Sequence, residues 1–209
     1  MLNLFFSFLA SYLLGSIPTA YIYGRTSKGI DIRNYGSRNI GATNTLRVLG
    51  KKAGLIVLSA DLIKGLIAVL FIAGFFYRLA PGTELLFFKL ISGVGVVLGH
   101  TCSLFLRFRG GKGVATTMGV LLGTLPLSAF FTFAVWLSFL FLFGYVSLAS
   151  ICASLLLPLS IILFYTSNPQ FLGLVLFAIV ISLVVVIKHR ANIIRLIYKQ
   201  EKKIFRVYA

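Results

Sequence analysis

Apolar runs of about 20 residues recur along this chain, and a helix of that length reaches across the hydrocarbon layer of a bilayer. A water-soluble fold could not cover so many of them, because 59% of the 209 residues are hydrophobic and only 11% are charged. The pattern predicts an all-α, polytopic integral membrane protein. Seven transmembrane helices are expected, over 3–24, 54–77, 85–105, 113–125, 127–143, 146–165 and 170–188. The fourth is short for a full crossing and is expected to lie partly buried between its neighbours. Pro126 separates the fourth from the fifth, and Pro158 is placed to kink the sixth. The Met1 to Ala20 stretch has no basic start and no small-residue cleavage site, so it reads as a retained first span. No low-complexity linker divides the chain, and 1–209 reads as a single transmembrane domain.

The net charge is +16, from 20 Lys and Arg against four carboxylates, Asp31, Asp61, Glu84 and Glu201. Of the 20 basic residues, 18 fall in the 25–64, 107–112 and 188–206 segments; only Arg78 and Lys89 lie between the second and third spans. Seven crossings with the N-terminus outside put all 18, and the C-terminus, on the cytoplasmic side, as the positive-inside rule asks. On a membrane protein this charge points to membrane lipid as a partner and not to nucleic acid. The scarcity of acids leaves the loops able to favour anions. Most of the tail from Lys199 to Arg206 is expected only to orient the protein and touch lipid headgroups.

Three polar segments fall on that one side. The first, Asn34 to Asn44 followed by Arg47, combines Gly36 and Gly41 with the neutral hydrogen-bonding groups of Ser37, Asn39, Thr43 and Asn44. A turn-rich connector would look similar. The second, Phe108 to Thr117, sets Lys112 among Gly110, Gly111 and Gly113 just before a helix. Glycines let successive N–H groups point at one anion, and the lysine adds a full charge. A flexible hinge is the plainer alternative. It is not a nucleotide-binding loop of the Walker type, since Leu106 stands where its first glycine belongs and Gly113 follows the lysine. The third, His189 to Arg195, places His189, Asn192 and Arg195 on one helical face, although a basic cluster beside a membrane often serves topology alone.

Other groups carry less. Asp61 and Lys64, one turn apart in an apolar run, read as a local pair or as residues near the interface rather than as catalytic groups. Cys102 and Cys152 have neither metal-ligand nor disulfide spacing. His100 and His189 are too few for a three-histidine metal site, and no Gly-x-Ser-x-Gly elbow is present.

Taken in order, five motifs resemble the bacterial membrane acyl-phosphate:glycerol-3-phosphate acyltransferase family. They are Gly-Ser-Arg-Asn-Ile-Gly-Ala-Thr-Asn at 36–44, Leu-Gly-Lys-Lys at 49–52, Gly-His at 99–100 before Phe-Arg-Gly-Gly-Lys-Gly-Val-Ala-Thr at 108–116, Tyr-Val-Ser-Leu-Ala-Ser at 145–150, and His-Arg-Ala-Asn-Ile-Ile-Arg-Leu at 189–196. The chain departs from the pattern at Cys102-Ser103 (usually an aromatic and a proline), at Gly144 (often basic) and at Lys199 (usually glycine).

The resemblance implies acyl transfer from acyl phosphate to the 1-hydroxyl of glycerol 3-phosphate, giving lysophosphatidic acid as the first step of bacterial phospholipid synthesis. It implies no cofactor and no metal, no acyl-CoA or acyl-carrier-protein donor, and a multi-pass protein of the bacterial cytoplasmic membrane with its active site on the cytoplasmic face. By position it makes Ser37, Lys112, His189 and Asn192 the expected catalytic set. Gly36, Asn39, Thr43, Asn44, Arg47, Gly110, Gly111, Gly113, Thr116, Ser147 and Ser150 are the expected substrate-binding set.

The residue chemistry is compatible with this. Two phosphate-bearing substrates must meet, and clustered cations with few acids answer their repulsion. An acyl phosphate is already activated, so no covalent enzyme nucleophile is required; the proton acceptor is His189 or a substrate phosphate oxygen. A transporter or channel for phosphate or an organic anion would instead place polar or charged groups at mid-membrane, often in paired repeats, and a lipid-anchoring scaffold would not need the glycine–lysine loop.

Overall fold

The computed structural model describes residues 1–80 and 82–204; Arg206, counted above in the basic tail, lies outside them. All regular structure among the described residues is helical. The chain divides into two compact units, Met1–Thr124 and Leu125–Ala209. Only Leu125 separates the last helix of one from the first of the other, so no change of composition marks the boundary.

In the first unit, α1 (Leu2–Ser16) and α2 (Thr19–Lys28) form one apolar stretch broken at Ile17 and Pro18. Ile17 leaves the helical region at ψ 115°, as a residue before proline is pushed to do. A single helical turn at Ile32–Asn34 and α3 (Ala42–Leu49) precede α4 (Lys51–Ile67). That helix runs through a wider-wound π stretch, Ala68–Ile72, into α5 (Ala73–Arg78). Next come α6 (Leu85–Thr101) and α7 (Val114–Thr124).

Helix contacts here depend on small residues. A side-chain carbon at Gly95 or Gly99 of α6 would overlap the Phe8 or Tyr12 carbonyl of α1, and one at Gly119 of α7 would overlap the Leu62 carbonyl of α4. Ser7 and Ser92 hydrogen-bond across the α1–α6 contact at 2.7 Å. Small residues and buried hydroxyls at contacts are how helices associate where lipid removes the hydrophobic drive.

The second unit holds α8 (Pro126–Phe143), α9 (Val146–Leu155), α10 (Leu157–Phe164), α11 (Phe171–Lys188) and α12 (Arg190–Ile197). Buried serines again bridge helices, Ser160 to Ser128 at 2.8 Å and Ser182 to the Ser154 carbonyl. Large apolar side chains such as Phe71, Phe130 and Leu172 point outward, about two-thirds exposed or more. Their solvent is lipid.

Among the described residues, five helical stretches are long and apolar enough to cross a membrane: Leu2–Lys28, Lys51–Arg78, Leu85–Leu106, Pro126–Phe143 and Phe171–Lys188. The pair α9 and α10, bent by 41° just before Pro158, makes a sixth if it is one span. All seven segments expected from the sequence fall on helices. The fourth is α7, whose 11 residues reach only about 17 Å against a hydrocarbon thickness of about 30 Å.

Candidate active site

The first polar segment is folded around one side chain. Asn44, on the first turn of α3 and 1% exposed, donates from Nδ2 to the carbonyls of Asn39 (2.9 Å) and Tyr35 (3.1 Å). Its Oδ1 accepts the Ser37 N–H at 2.8 Å. Gly36 has φ +61°, and a side chain there would strike the Asn44 amide. Asn44 and Gly36, expected to bind substrate, are thus committed to shaping the loop. That shape leaves Ser37 and Arg47 exposed and Asn39 half-buried, with Thr43 and Arg47 one turn apart on α3.

The second segment meets the first. Arg109 and Gly110 line an open cleft of about 390 Å³ together with Asp31, Arg33, Arg38 and Asn39. Asp31, its only acid, is neutralised: Arg33 donates to its carboxylate from Nε (3.0 Å) and Nη2 (2.7 Å), and Arg25 stands 3.6 Å away. The hydrogen bond from Arg33 leads in holding the Asp31 carboxyl down at about 2. Arg38 and Arg109 are left to give the cleft its positive character.

In the glycine loop, the Gly111 N–H donates to the His100 carbonyl at 2.9 Å and the Gly110 N–H to the Thr101 carbonyl at 3.2 Å. The expectation that successive loop amides point at an anion is therefore corrected for these two, which fasten the loop to the end of α6. Gly113 turns the chain at φ +82° into α7, and Lys112 between them is half-buried. Thr116, also expected to touch substrate, is fully buried where its carbonyl faces Gly65 of α4.

The second unit gathers the remaining residues. Ser147 donates to Glu201 Oε1 at 3.0 Å, Asn192 to the same oxygen at 2.8 Å, and Arg195 Nε to Oε2 at 2.7 Å. Burial pushes the Glu201 carboxyl up. The hydrogen bonds from Arg195, Asn192 and Ser147, with the Arg195 charge, outweigh it and leave the carboxyl below its ordinary range. Ser150 accepts from Trp136 Nε1 at 3.1 Å and donates to the Val146 carbonyl at 2.8 Å. His189, 2% exposed at the joint of α11 and α12, sets Nδ1 2.8 Å from the Val185 carbonyl. A carbonyl can only accept, so Nδ1 carries the proton, and in the neutral ring Nε2 is the basic nitrogen.

The tail is more than a topology signal. Ile204 N–H donates to the Gly144 carbonyl at 2.9 Å, and Lys203 lies over the Tyr145 ring. Glu201 was missed because one acid in a basic tail carries no spacing signal. Its rarity among four carboxylates was the only available hint.

Comparison with known proteins identifies the family. Residues 5–199 match the family model described as glycerol-3-phosphate acyltransferase. The chain is 42% identical over 196 residues to glycerol-3-phosphate acyltransferase 2 of Moorella thermoacetica, covering 94% of this chain and 95% of that one. It is 46% identical over 195 residues to the glycerol-3-phosphate acyltransferase of Desulforudis audaxviator, covering 92% and 91%. Among solved structures, the glycerol 3-phosphate form of PlsY (YgiH), an integral membrane glycerol 3-phosphate acyltransferase, superposes with a TM-score of 0.83 at 39% identity, covering 97% and 96%. The lysophosphatidic acid form of that protein gives 0.80 at 38%, covering 96% and 94%. With the motifs, the helical architecture and these matches in agreement over nearly its whole length, the chain belongs to the glycerol-3-phosphate acyltransferase family of multi-pass membrane proteins.

Proposed function

We propose that this acyltransferase takes its acyl group from acyl phosphate and passes it directly to the 1-hydroxyl of glycerol 3-phosphate. The hydroxyl oxygen attacks the acyl carbon, the bond from that carbon to the phosphate oxygen breaks, and inorganic phosphate leaves with the electron pair. Lysophosphatidic acid is the product. The observation that carries the reading is the basic cleft in which the 36–44 loop and the glycine–lysine loop meet, with its one acid neutralised by Arg33. Such a surface offsets the repulsion between two phosphates and stabilises charge as one departs.

In this reading Lys112 and Ser37 hold the donor phosphate, while Arg47 and Asn192 orient glycerol 3-phosphate. The proton goes to Nε2 of His189 or to a substrate phosphate oxygen. The His189–Val185 bond supports the first, since it fixes the tautomer a base requires. His189→Ala separates them: a fall in kcat of about 100-fold or more fits a general base, and near-full turnover removes His189 from the chemical step.

The whole chain is taken to act as one domain in a bacterial cytoplasmic membrane, with the chemistry on the cytoplasmic face. Purified protein given acyl phosphate and glycerol 3-phosphate should yield lysophosphatidic acid, and acyl-CoA in place of acyl phosphate should not. Turnover with acyl-CoA at a comparable rate would overturn the donor assignment.

A further inference from the structure

Asp61 and Lys64 form a buried cluster that the reaction scheme leaves unused. They are 2% and 6% exposed, one turn apart on α4, with Lys64 Nζ 3.0 Å from Asp61 Oδ1. Thr19 at the start of α2 donates to the same oxygen and accepts from Lys64, and Lys64 also donates to the Ile17 carbonyl at the α1–α2 break. Buried charge is expensive unless paired, and this pair is fully engaged. As a local ion pair it would end there.

It does not end there, because His100 of α6 reaches the same carboxylate. Its Nδ1 lies 3.7 Å from Asp61 Oδ1, a separation for electrostatic orientation rather than a hydrogen bond. The far edge of the ring, Nε2 with its two neighbouring carbons, occupies the space a side chain at Gly111 would need. The His100 carbonyl meanwhile accepts the Gly111 N–H. One residue thus grips the loop by ring and by backbone, immediately before Lys112. Gly111 is not among the glycines with positive φ, so glycine is required there for room rather than for backbone freedom.

We infer that His100, oriented by the buried Asp61–Lys64–Thr19 cluster, is a positioning residue that sets the Gly110–Lys112 loop and thereby aims Lys112 at the donor phosphate. The inference rests on the reading of Lys112 as a phosphate-holding group. It gives the intramembrane pair a function: fixing the far side of the ring that the loop leans on.

Two readouts test it on the purified full chain in detergent. The first is tryptic cleavage after Arg109 and Lys112, which reports how often the loop opens; cleavage after Lys51 and Lys52 serves as the folding control. His100→Ala should raise loop cleavage on the order of tenfold, since cleavage tracks the open population, with the control unchanged. His100→Gln, which keeps a planar polar group, should stay near wild type. The second readout is kinetic. His100→Ala should lower kcat with acyl phosphate by about 100-fold, the cost of a roughly 1 Å misplacement. KM for glycerol 3-phosphate should move less than about twofold, because uniform binding of the acceptor is untouched.

Gly111→Ala repeats the test from the other side, and carries it alone if His100→Ala does not fold. Combined with His100→Ala it should be no worse than His100→Ala alone, since the ring it strikes is gone. Wild-type loop cleavage in His100→Ala, or raised cleavage with full kcat, or additive effects in the double variant, would each overturn the inference. If wild type makes no lysophosphatidic acid from acyl phosphate, the proposed donor is wrong, yet the cleavage comparison still decides whether His100 sets the loop.

Discussion

At the scale of single residues, Lys64 and Lys112 do different work. Lys64 closes a pair inside the helices, whereas Lys112 stands on a loop whose neighbouring glycine amides are already spent on His100 and Thr101. With those donors occupied, the proposed task of stabilising a departing phosphate would fall more heavily on the lysine charge. Lys112→Ala should therefore cost about 3–4 kcal/mol of transition-state stabilisation, the scale of one lost oxyanion donor. Initial rates at saturating glycerol 3-phosphate measure it, and an unchanged rate removes Lys112 from the site.

Glu201 makes a complementary prediction. Its carboxyl lies below the ordinary range because the donors from Arg195, Asn192 and Ser147 outweigh burial. A carboxyl lowered in the folded state stabilises the fold above its unfolded pKa and loses that contribution as pH falls through the folded value. Glu201→Gln should lower stability by about 1–2 kcal/mol at neutral pH, after allowing for solvent at the half-exposed Arg195. The gap to wild type should close as pH drops through and below the ordinary glutamate range. Thermal unfolding in detergent across pH reads this, and a gap that persists unchanged into acid sinks it. The motif side chains were legible in the sequence because glycine, hydroxyl, amide and cation types cluster there. Glu201 was not, and His100, though it stood in the Gly-His motif, showed no task, since a lone acid and a lone histidine acquire partners only through tertiary packing.

At the scale of elements, α12 ends in a turn that delivers Glu201. Lys199 N–H donates to the Leu196 carbonyl and Gln200 N–H to the Arg195 carbonyl, the paired bonds of a Schellman cap with Lys199 in the left-handed position at φ +55°. The family usually has glycine here. A lysine in that region carries about 1–2 kcal/mol of strain, and the freer unfolded glycine chain gives back roughly 0.4–1 kcal/mol. Lys199→Gly should thus stabilise the protein by about 1 kcal/mol or a little less, visible as a raised Tm with turnover kept. A lowered Tm would show that the lysine side chain contributes more than its backbone costs. Apolar length predicted the helices well, and Pro158 announced the bend between α9 and α10. The break at Ile17–Pro18 was passed over because apolar residues continue beyond it, and the π stretch at Ala68–Ile72 has no proline or glycine to mark it.

At the scale of the whole molecule, α7 decides the topology. If its 11 residues do not change sides, the 25–52 loops and the 188–203 tail fall on opposite faces, and the basic residues split between them. The positive-inside rule opposes that outcome strongly, because 18 of the 20 cations then cannot share the cytoplasmic face. A short helix can still change sides when it is enclosed by protein, and Thr116, Thr117, Gly119, Val120 and Leu121 of α7 are buried. Seven crossings with the N-terminus outside are therefore predicted. With Cys102 and Cys152 replaced by alanine, single cysteines at the exposed positions Lys28, Glu84, Ser167 and Gln200 report on it. A maleimide that cannot cross membranes should label Glu84→Cys and Ser167→Cys on intact cells. It should reach Lys28→Cys and Gln200→Cys only after lysis. Labelling of Gln200→Cys and not Ser167→Cys from outside would mean that α7 returns to its own side, and would overturn the proposal that Ser147, His189 and Asn192 act on the cytoplasmic face.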